Sequence, residues 1–572
     1  MPHCIQHLNR RTSRLPDFLV GQVQIEDRGR LELDSSLSPI NSACKWIRVL
    51  PLRPSSDLIM PRYQPIPRPE PSQLNKLSTG SRPKRSYPSI PSPLLKPTTP
   101  IHSHHRHSPF DSLPIELQVE IFSHCLPPFP HFDVNEAPLL IARVCGAWRS
   151  LVLSTPKLWS SFEIEVTGSG TSISLRDFHV LSTMKLWLAR SKSYPLTVRV
   201  IQVPVTRIAD PRSAQLLAVL IPEARRWRHV EFVIPAANVI PLRSLLPSEF
   251  PILQSLTLQM KGLWNSEPTW DLLAQSLPWN QLTSIDLQVE NNHLPTLDQC
   301  LDILSQAENL KNCTMNISCT MNRERVRWES VSLPSLETLH LVLQGSNPGT
   351  PLPANVNAAA SLVEFLDLLS APNLQTLGLA WLLPSSGQQT WSSSQPEFLS
   401  FLRRTSKTLR VFSLAYVPLS DMELMECLKV VPQVRELDLR FSLSDQEHDP
   451  ITDTLFRACT HVASEPSSSS SSSEGRKRLY QSQRHTSEET LLPQLNRANI
   501  QCSGERYTNP ALLAMIQSRW RRFGPSVART GVMSLTHFHM LSMKPAVAEI
   551  SKRVKAWSTE GLDVSIDSLV IR

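Results

Sequence analysis

The apolar positions of the chain follow one recurrent spacing, apolar-x-x-apolar-x-apolar. It appears as Leu253-Leu256-Leu258, Leu282-Ile285-Leu287, Leu310-Cys313-Met315 and Leu336-Leu339-Leu341. It continues as Leu374-Leu377-Leu379, Leu409-Phe412-Leu414 and Val434-Leu437-Leu439, with Trp227-Val230-Phe232 ahead of the series and Leu535-Phe538-Met540 beyond it. From Trp227 to Val434 the first members are 26, 29, 28, 26, 38, 35 and 25 residues apart. The alternation inside each match predicts a short strand. Helical stripes fill the gaps: Leu297, Cys300, Leu301 and Leu304 form one, Leu362, Phe365, Leu366 and Leu369 another, and Met425 and Leu428 belong to a third. A single strand and helix cannot bury both apolar faces, whereas stacked copies of about 25–30 residues can.

Outside this array the pattern changes. Residues 51–108 are a linker, with 11 prolines between Pro61 and Pro100. Such a stretch has too little apolar surface to offset its ordering entropy. Residues 18–50 alternate weakly without an evident partner strand, so all of 1–107 is expected to be disordered. In 108–162, Ser112 is a candidate N-cap and Pro114 suits a first helical turn, with Leu113, Leu117, Ile121 and Phe122 as an apolar stripe. Pro127, Pro128 and Pro130 end that helix, and a second follows with Leu140, Val144 and Trp148 on one face. A helix from Phe178 to Ser191 comes next, then a break at Pro195 and a strand through Leu196, Val198 and Val200. Residues 163–226 therefore connect the helical segment to an array over 227–441. Residues 442–508, with Ser467 to Ser473 and the basic Arg476-Lys477-Arg478, are expected to be a disordered insertion. The array resumes over 509–572, where Asn509 and Pro510 open a helix bearing Leu513, Ile516 and Trp520. A final helix and strand (Leu562, Val564, Ile566) are expected to cap the open end.

The helical segment resembles an F-box of the large fungal families. The match rests on Leu113-Pro114, Glu116-Leu117, Ile121-Phe122, Val144-Cys145, Trp148-Arg149, Leu151 and Leu158-Trp159. The resemblance implies a non-catalytic subunit that docks on the Skp adaptor of a Skp–cullin–F-box ubiquitin ligase. Leu113, Pro114, Leu117, Ile121, Phe122, Val144 and Trp148 would form or support the adaptor-facing surface. At about 50 residues such a unit rarely stabilises itself without metal, disulfide or partner. The connection over residues 127–138 is longer and richer in proline than the family's, which leaves its path open. An ordinary helical hairpin is the alternative.

The array resembles a leucine-rich-repeat solenoid, so the fold class is α/β: an all-helical F-box followed by an irregular repeat domain. The turn position that usually carries Asn or Cys instead holds Lys261, Glu290, Ser318, Gln344, Leu382, Val417 and Ser442, which makes the repeat degenerate. The resemblance implies that the residue between the last two apolar positions faces the concave surface. Those residues are Glu231, Thr257, Asp286, Thr314, His340, Gly378, Ser413, Asp438 and His539. They are candidates for binding a protein substrate, and a plain solvated sheet face fits them equally.

Charge and chemistry narrow the function. Of the net charge of +8, residues 1–108 carry the whole excess, with 16 Lys+Arg against 7 Asp+Glu. A basic tail attracts polyanions without specificity, so no specific nucleic-acid site is expected. The ten cysteines contain no CxxC pair, which suits buried thiols in a reducing compartment. No apolar run reaches membrane length, and no membrane partner is expected. His102, His104, His105 and His107 cluster in the linker without a second shell, so neither a metal nor another cofactor is expected. No phosphate-cradling motif or nucleophile elbow occurs. The expectation is a cytoplasmic, non-enzymatic chain, with nuclear entry an alternative raised by Arg82-Pro83-Lys84-Arg85. It would bring an unknown protein substrate to a Skp-type adaptor and cullin, or act as an interaction scaffold that promotes no ubiquitin transfer.

Overall fold

The computed structural model describes residues 22–25, 31–34, 109–167, 174–203, 209–261, 275–289, 294–319, 330–345, 357–383, 391–461, 490–520, 532–545 and 547–569. The chain divides into two compact units, Met1–Pro114 and Ile115–Arg572. In the first, β1 (Gln22–Ile25) and β2 (Leu31–Asp34) pair antiparallel, Gln22 opposite Asp34 and Ile25 opposite Leu31. This corrects the expectation that 18–50 lacks a partner strand. The Pro-rich linker, its histidines and its basic cluster lie outside the described residues.

The second unit opens with α1 (Ile115–His124) and α2 (Gly146–Ser154). Two expectations shift here. Ser112 belongs to a short 3-10 turn, Pro109–Ser112, and α1 begins only after Pro114. Leu140 and Val144 do not continue α2 backward: Ile141–Arg143 is a 3-10 turn, and Cys145 is extended at φ −153, ψ 171. The Cys145 thiol caps α2 by accepting from the Trp148 amide at 3.4 Å.

Among the described residues, fifteen strands follow. They are β3 (Ser161–Thr167), β4 (Leu196–Val203), β5 (Trp227–Pro235), β6 (Ser255–Lys261) and β7 (Ser284–Val289). Next come β8 (Asn312–Ser318), β9 (Val331–Ser332), β10 (Thr338–Gln344), β11 (Leu369–Ser370) and β12 (Thr376–Leu382). The last are β13 (Val411–Ala415), β14 (Glu436–Arg440), β15 (Arg497–Cys502), β16 (His537–Ser542) and β17 (Asp563–Ser568). Apart from the small β9–β11 pair, they form one 13-stranded sheet, each strand beside the next in chain order. Every pairing in it is parallel. A parallel pair needs a crossover of a dozen or more residues, and the spacing of the apolar motif supplies it.

All nine motif matches are strands of this sheet. The connector 163–226 also contributes, through β3, which starts two residues before it, and β4. The expected insertion over 442–508 is corrected: residues 442–461 and 490–508 hold a helix, Asp453–Cys459, and the strand β15. The serine run and its basic cluster lie outside the described residues. The helix expected from Phe178 begins three residues earlier, at Leu175, because Ser174 and Asp177 form a capping box. The same device starts the helices Leu297–Gln306 (Thr296 with Gln299) and Asp421–Val430 (Ser420 with Glu423).

One face of the sheet is apolar in two full rows. Phe162, Val198, Val230, Leu256, Ile285, Cys313, Leu339, Leu377, Phe412, Leu437, Ala498, Phe538 and Val564 make the first, and all are buried. Helices pack on this face. Trp187, on the helix Leu175–Ser191, meets Phe162 edge-on at 6.1 Å, and Trp391 bridges Trp381 of β12 to Phe398 of the helix Gln395–Thr405 at 6.0 and 5.2 Å. Six cysteines, Cys300, Cys313, Cys319, Cys427, Cys459 and Cys502, are buried and unbridged. No described helix is long and apolar enough to cross a membrane.

Candidate functional site

The path of residues 127–138 decides how the helical segment meets the sheet. The link turns back along the outer edge of β3, where the Glu163 amide donates to the Pro130 carbonyl at 2.9 Å and the Ser161 hydroxyl to the Pro128 carbonyl at 2.9 Å. Phe132 of the link stacks on Phe162 at 5.6 Å and on Trp187 at 5.0 Å. The prolines cannot donate in return, so the link ends the sheet on this side.

The two helices bury one side and leave another bare. Phe122, 1% exposed, packs on Trp148 at 5.0 Å, and Val152 lies beneath with its carbonyl accepting from the Trp159 indole at 2.8 Å. Phe122 is therefore an internal residue. Its place among the adaptor-facing candidates is corrected: one residue along a helix turns the side chain by about 100°, so Ile121 and Phe122 point apart. Trp148 is half-buried in supporting Phe122. Leu117, Ile121 and Val144 are 52%, 42% and 58% exposed. Of the remaining two candidates, Leu113 is half-buried and Pro114 is exposed. Lys157 and Glu120 form an ion pair at 2.9 Å beside this bare side.

On the other face of the sheet, strand register places all nine candidates in a single line. From β3 to β17 the line reads Glu163, Arg199, Glu231, Thr257, Asp286, Thr314, His340, Gly378, Ser413, Asp438, Asn499, His539, Ser565. The four not anticipated are Glu163, Arg199, Asn499 and Ser565, whose strands carry the same alternation outside the motif series. At the β3 end, Arg199 bridges its neighbours, donating to Glu163 at 3.0 Å and Glu231 at 3.1 Å. Burial lowers its pKa, but the two carboxylates outweigh it and hold the guanidinium above its usual value.

In the middle of the line, Asp286 accepts from Gln288 at 2.9 Å, and Asp438 accepts from Ser413 at 3.4 Å while pairing with Arg440 at 2.6 Å. Burial pushes the His340 imidazole down to about 4, against the opposing charge of Asp438, so it is neutral at physiological pH. At the far end, His539 shares a hydrogen bond with Ser565 at 2.8 Å and lies 3.5 Å from Asp563. Apart from Gly378, every member of the line carries a hydrogen-bonding side chain. Among the described residues, no group of three His, Cys, Asp or Glu is placed to hold a metal ion. No protein-family model matches the chain, and no curated protein matches it.

Proposed function

We propose that the chain is the substrate-receptor subunit of a Skp–cullin–F-box ubiquitin ligase. Residues 108–162 act as the F-box, and the sheet is an irregular leucine-rich-repeat-like solenoid presenting its polar line to a protein substrate. The observation that carries this reading is the exposure of Leu117, Ile121 and Val144 in the helical segment, with Leu117 and Ile121 one turn apart on the first helix, while Phe122 and Val152 are buried. An isolated exposed leucine is ordinary, whereas a clustered apolar patch marks an interaction surface. The subunit is non-catalytic. It acts by holding substrate near a ubiquitin donor, which raises effective concentration without a reacting group of its own.

The test is affinity purification of the full chain and of a Leu117→Asp, Ile121→Asp variant. Wild type is expected to recover a Skp-type adaptor and a cullin, and the variant to lose both while its thermal midpoint is unchanged. Recovery of the same partners by both chains overturns the reading. Adaptor without cullin identifies a scaffold instead.

A further inference from the structure

Among the described residues, the sheet is closed at its β3 end and unpaired at its β17 end. Its second apolar row runs Ile164, Val200, Phe232, Leu258, Leu287, Met315, Leu341, Leu379, Leu414, Leu439, Ile500, Met540 and Ile566. The first twelve are buried, none more than 6% exposed, and Ile566 is only half-buried. The difference follows from the edges. β3 is closed by the proline link and by Phe132, whereas among the described residues β17 pairs with β16 alone. The helix Ala548–Thr559 packs on β17 but leaves Ile566 only half-buried, lining a small cleft with Ile550 and Tyr507. The final strand continues the sheet beside β16, and its outer edge is unpaired among the described residues.

We infer that this edge receives an extended segment of another protein, in which basic residues alternate with branched apolar ones. Two features choose the occupant. Backbone groups on an edge strand are a template for a further strand, and residues of the added strand alternate between the two faces. On the apolar face, a valine or isoleucine beside Ile566 completes the row. On the polar face, Asp563 and Asp567 are exposed two strand positions either side of Ser565, so lysine or arginine at alternate positions meets both. The same carboxylates argue against a second copy of this chain. Antiparallel pairing about Ser565 sets Asp563 against Asp567 of the other copy twice, and like charges directly opposite are unfavourable. The inference does not depend on the helical segment or on an adaptor.

The experiment measures fluorescence anisotropy of labelled peptides with the full chain. One peptide alternates lysine and valine, a second has the same composition with the lysines grouped, and a third carries glutamate for lysine. The alternating basic peptide is expected to bind at least tenfold more tightly than either control, and to protect the amides of 563–568 from hydrogen exchange. N-methylation of its alternate amides is expected to abolish binding, and D563K/D567K to reverse the preference towards the glutamate peptide. Equal affinity for alternating and grouped lysines reduces the effect to bulk charge and overturns the inference. So does a wild-type dimer whose 563–568 amides are already protected, because the occupant is then a second copy.

Discussion

The imidazole of His340 lies directly over Gly378, its neighbour across β10 and β12. A Cβ built at position 378 collides with Nδ1 of that ring. Glycine inside a strand is weakening by about 0.5–1 kcal/mol relative to alanine, so its use here follows from the close approach of a neighbour. Gly378→Ala is therefore expected to destabilise the wild-type chain by about 1–3 kcal/mol, the range for overpacking. In a His340→Ala background the same substitution is expected to stabilise by up to about 1 kcal/mol. Urea midpoints of the four chains in this cycle check the prediction; the same sign in both backgrounds refutes the contact.

His340 also imposes a pH dependence. Its folded pKa, about 4, lies below the ordinary 6.5, so the unfolded chain binds the proton more readily. Stability from this residue is complete above about pH 6.5 and is lost as pH falls towards 4. Carboxylates titrate in the lower part of that window, so the informative quantity is the difference between wild type and His340→Gln. That difference is expected to change between pH 6.5 and 4 and to be flat above 7, as read from denaturation midpoints. A flat difference throughout means the imidazole is not held neutral by the fold.

The sheet was legible in the sequence because its apolar motif is rigidly spaced, and the polar line was legible for the same reason. β15 escaped because its match, Leu495-Ala498-Ile500, uses a small alanine and lies in a stretch dominated by serine and charge. β3 escaped because Phe162 was taken as the end of the neighbouring helical segment, which left Ile164 in the connector without its alternating partner. The contacts within the line were not legible. Arg199 pairs with residues 36 and 32 positions away, a relation that exists only once the register is known. In the helical segment the four-residue spacing of Leu140, Val144 and Trp148 imitated a helix, but the extended backbone of Cys145 interrupts it. Neighbouring Ile121 and Phe122 are equally apolar, and only packing on Trp148 shows which is internal.

That division within the first helix is measurable apart from any partner. Phe122→Ala removes a buried ring and is expected to cost about 3–5 kcal/mol. Leu117→Asp and Ile121→Asp act on side chains that already face water and are expected to shift stability by about 0.5 kcal/mol or less. Thermal or urea unfolding of the three variants decides. A large loss from Leu117→Asp means that this side of the helix is covered within the chain.

Arg519 supplies the last prediction. It is 2% exposed, and its guanidinium donates to three backbone carbonyls: Cys459 at 2.6 Å, Leu492 at 2.9 Å and Leu491. Burial lowers its pKa. The three acceptors belong to the end of the helix Asp453–Cys459 and to the approach to β15, so one side chain ties together both sides of the excursion between them. Arg519→Met keeps the length and apolar stem but leaves buried carbonyls unsatisfied, at about 1–3 kcal/mol each. The expected loss is about 3 kcal/mol or more in the unfolding free energy. Amide exchange should quicken in 453–459 and 495–500 before the rest of the sheet. Arg519→Lys, with a compact ammonium that cannot span the fork of a guanidinium, should recover only part of the loss. Full recovery by lysine would show that charge, not the three-way geometry, holds the segment.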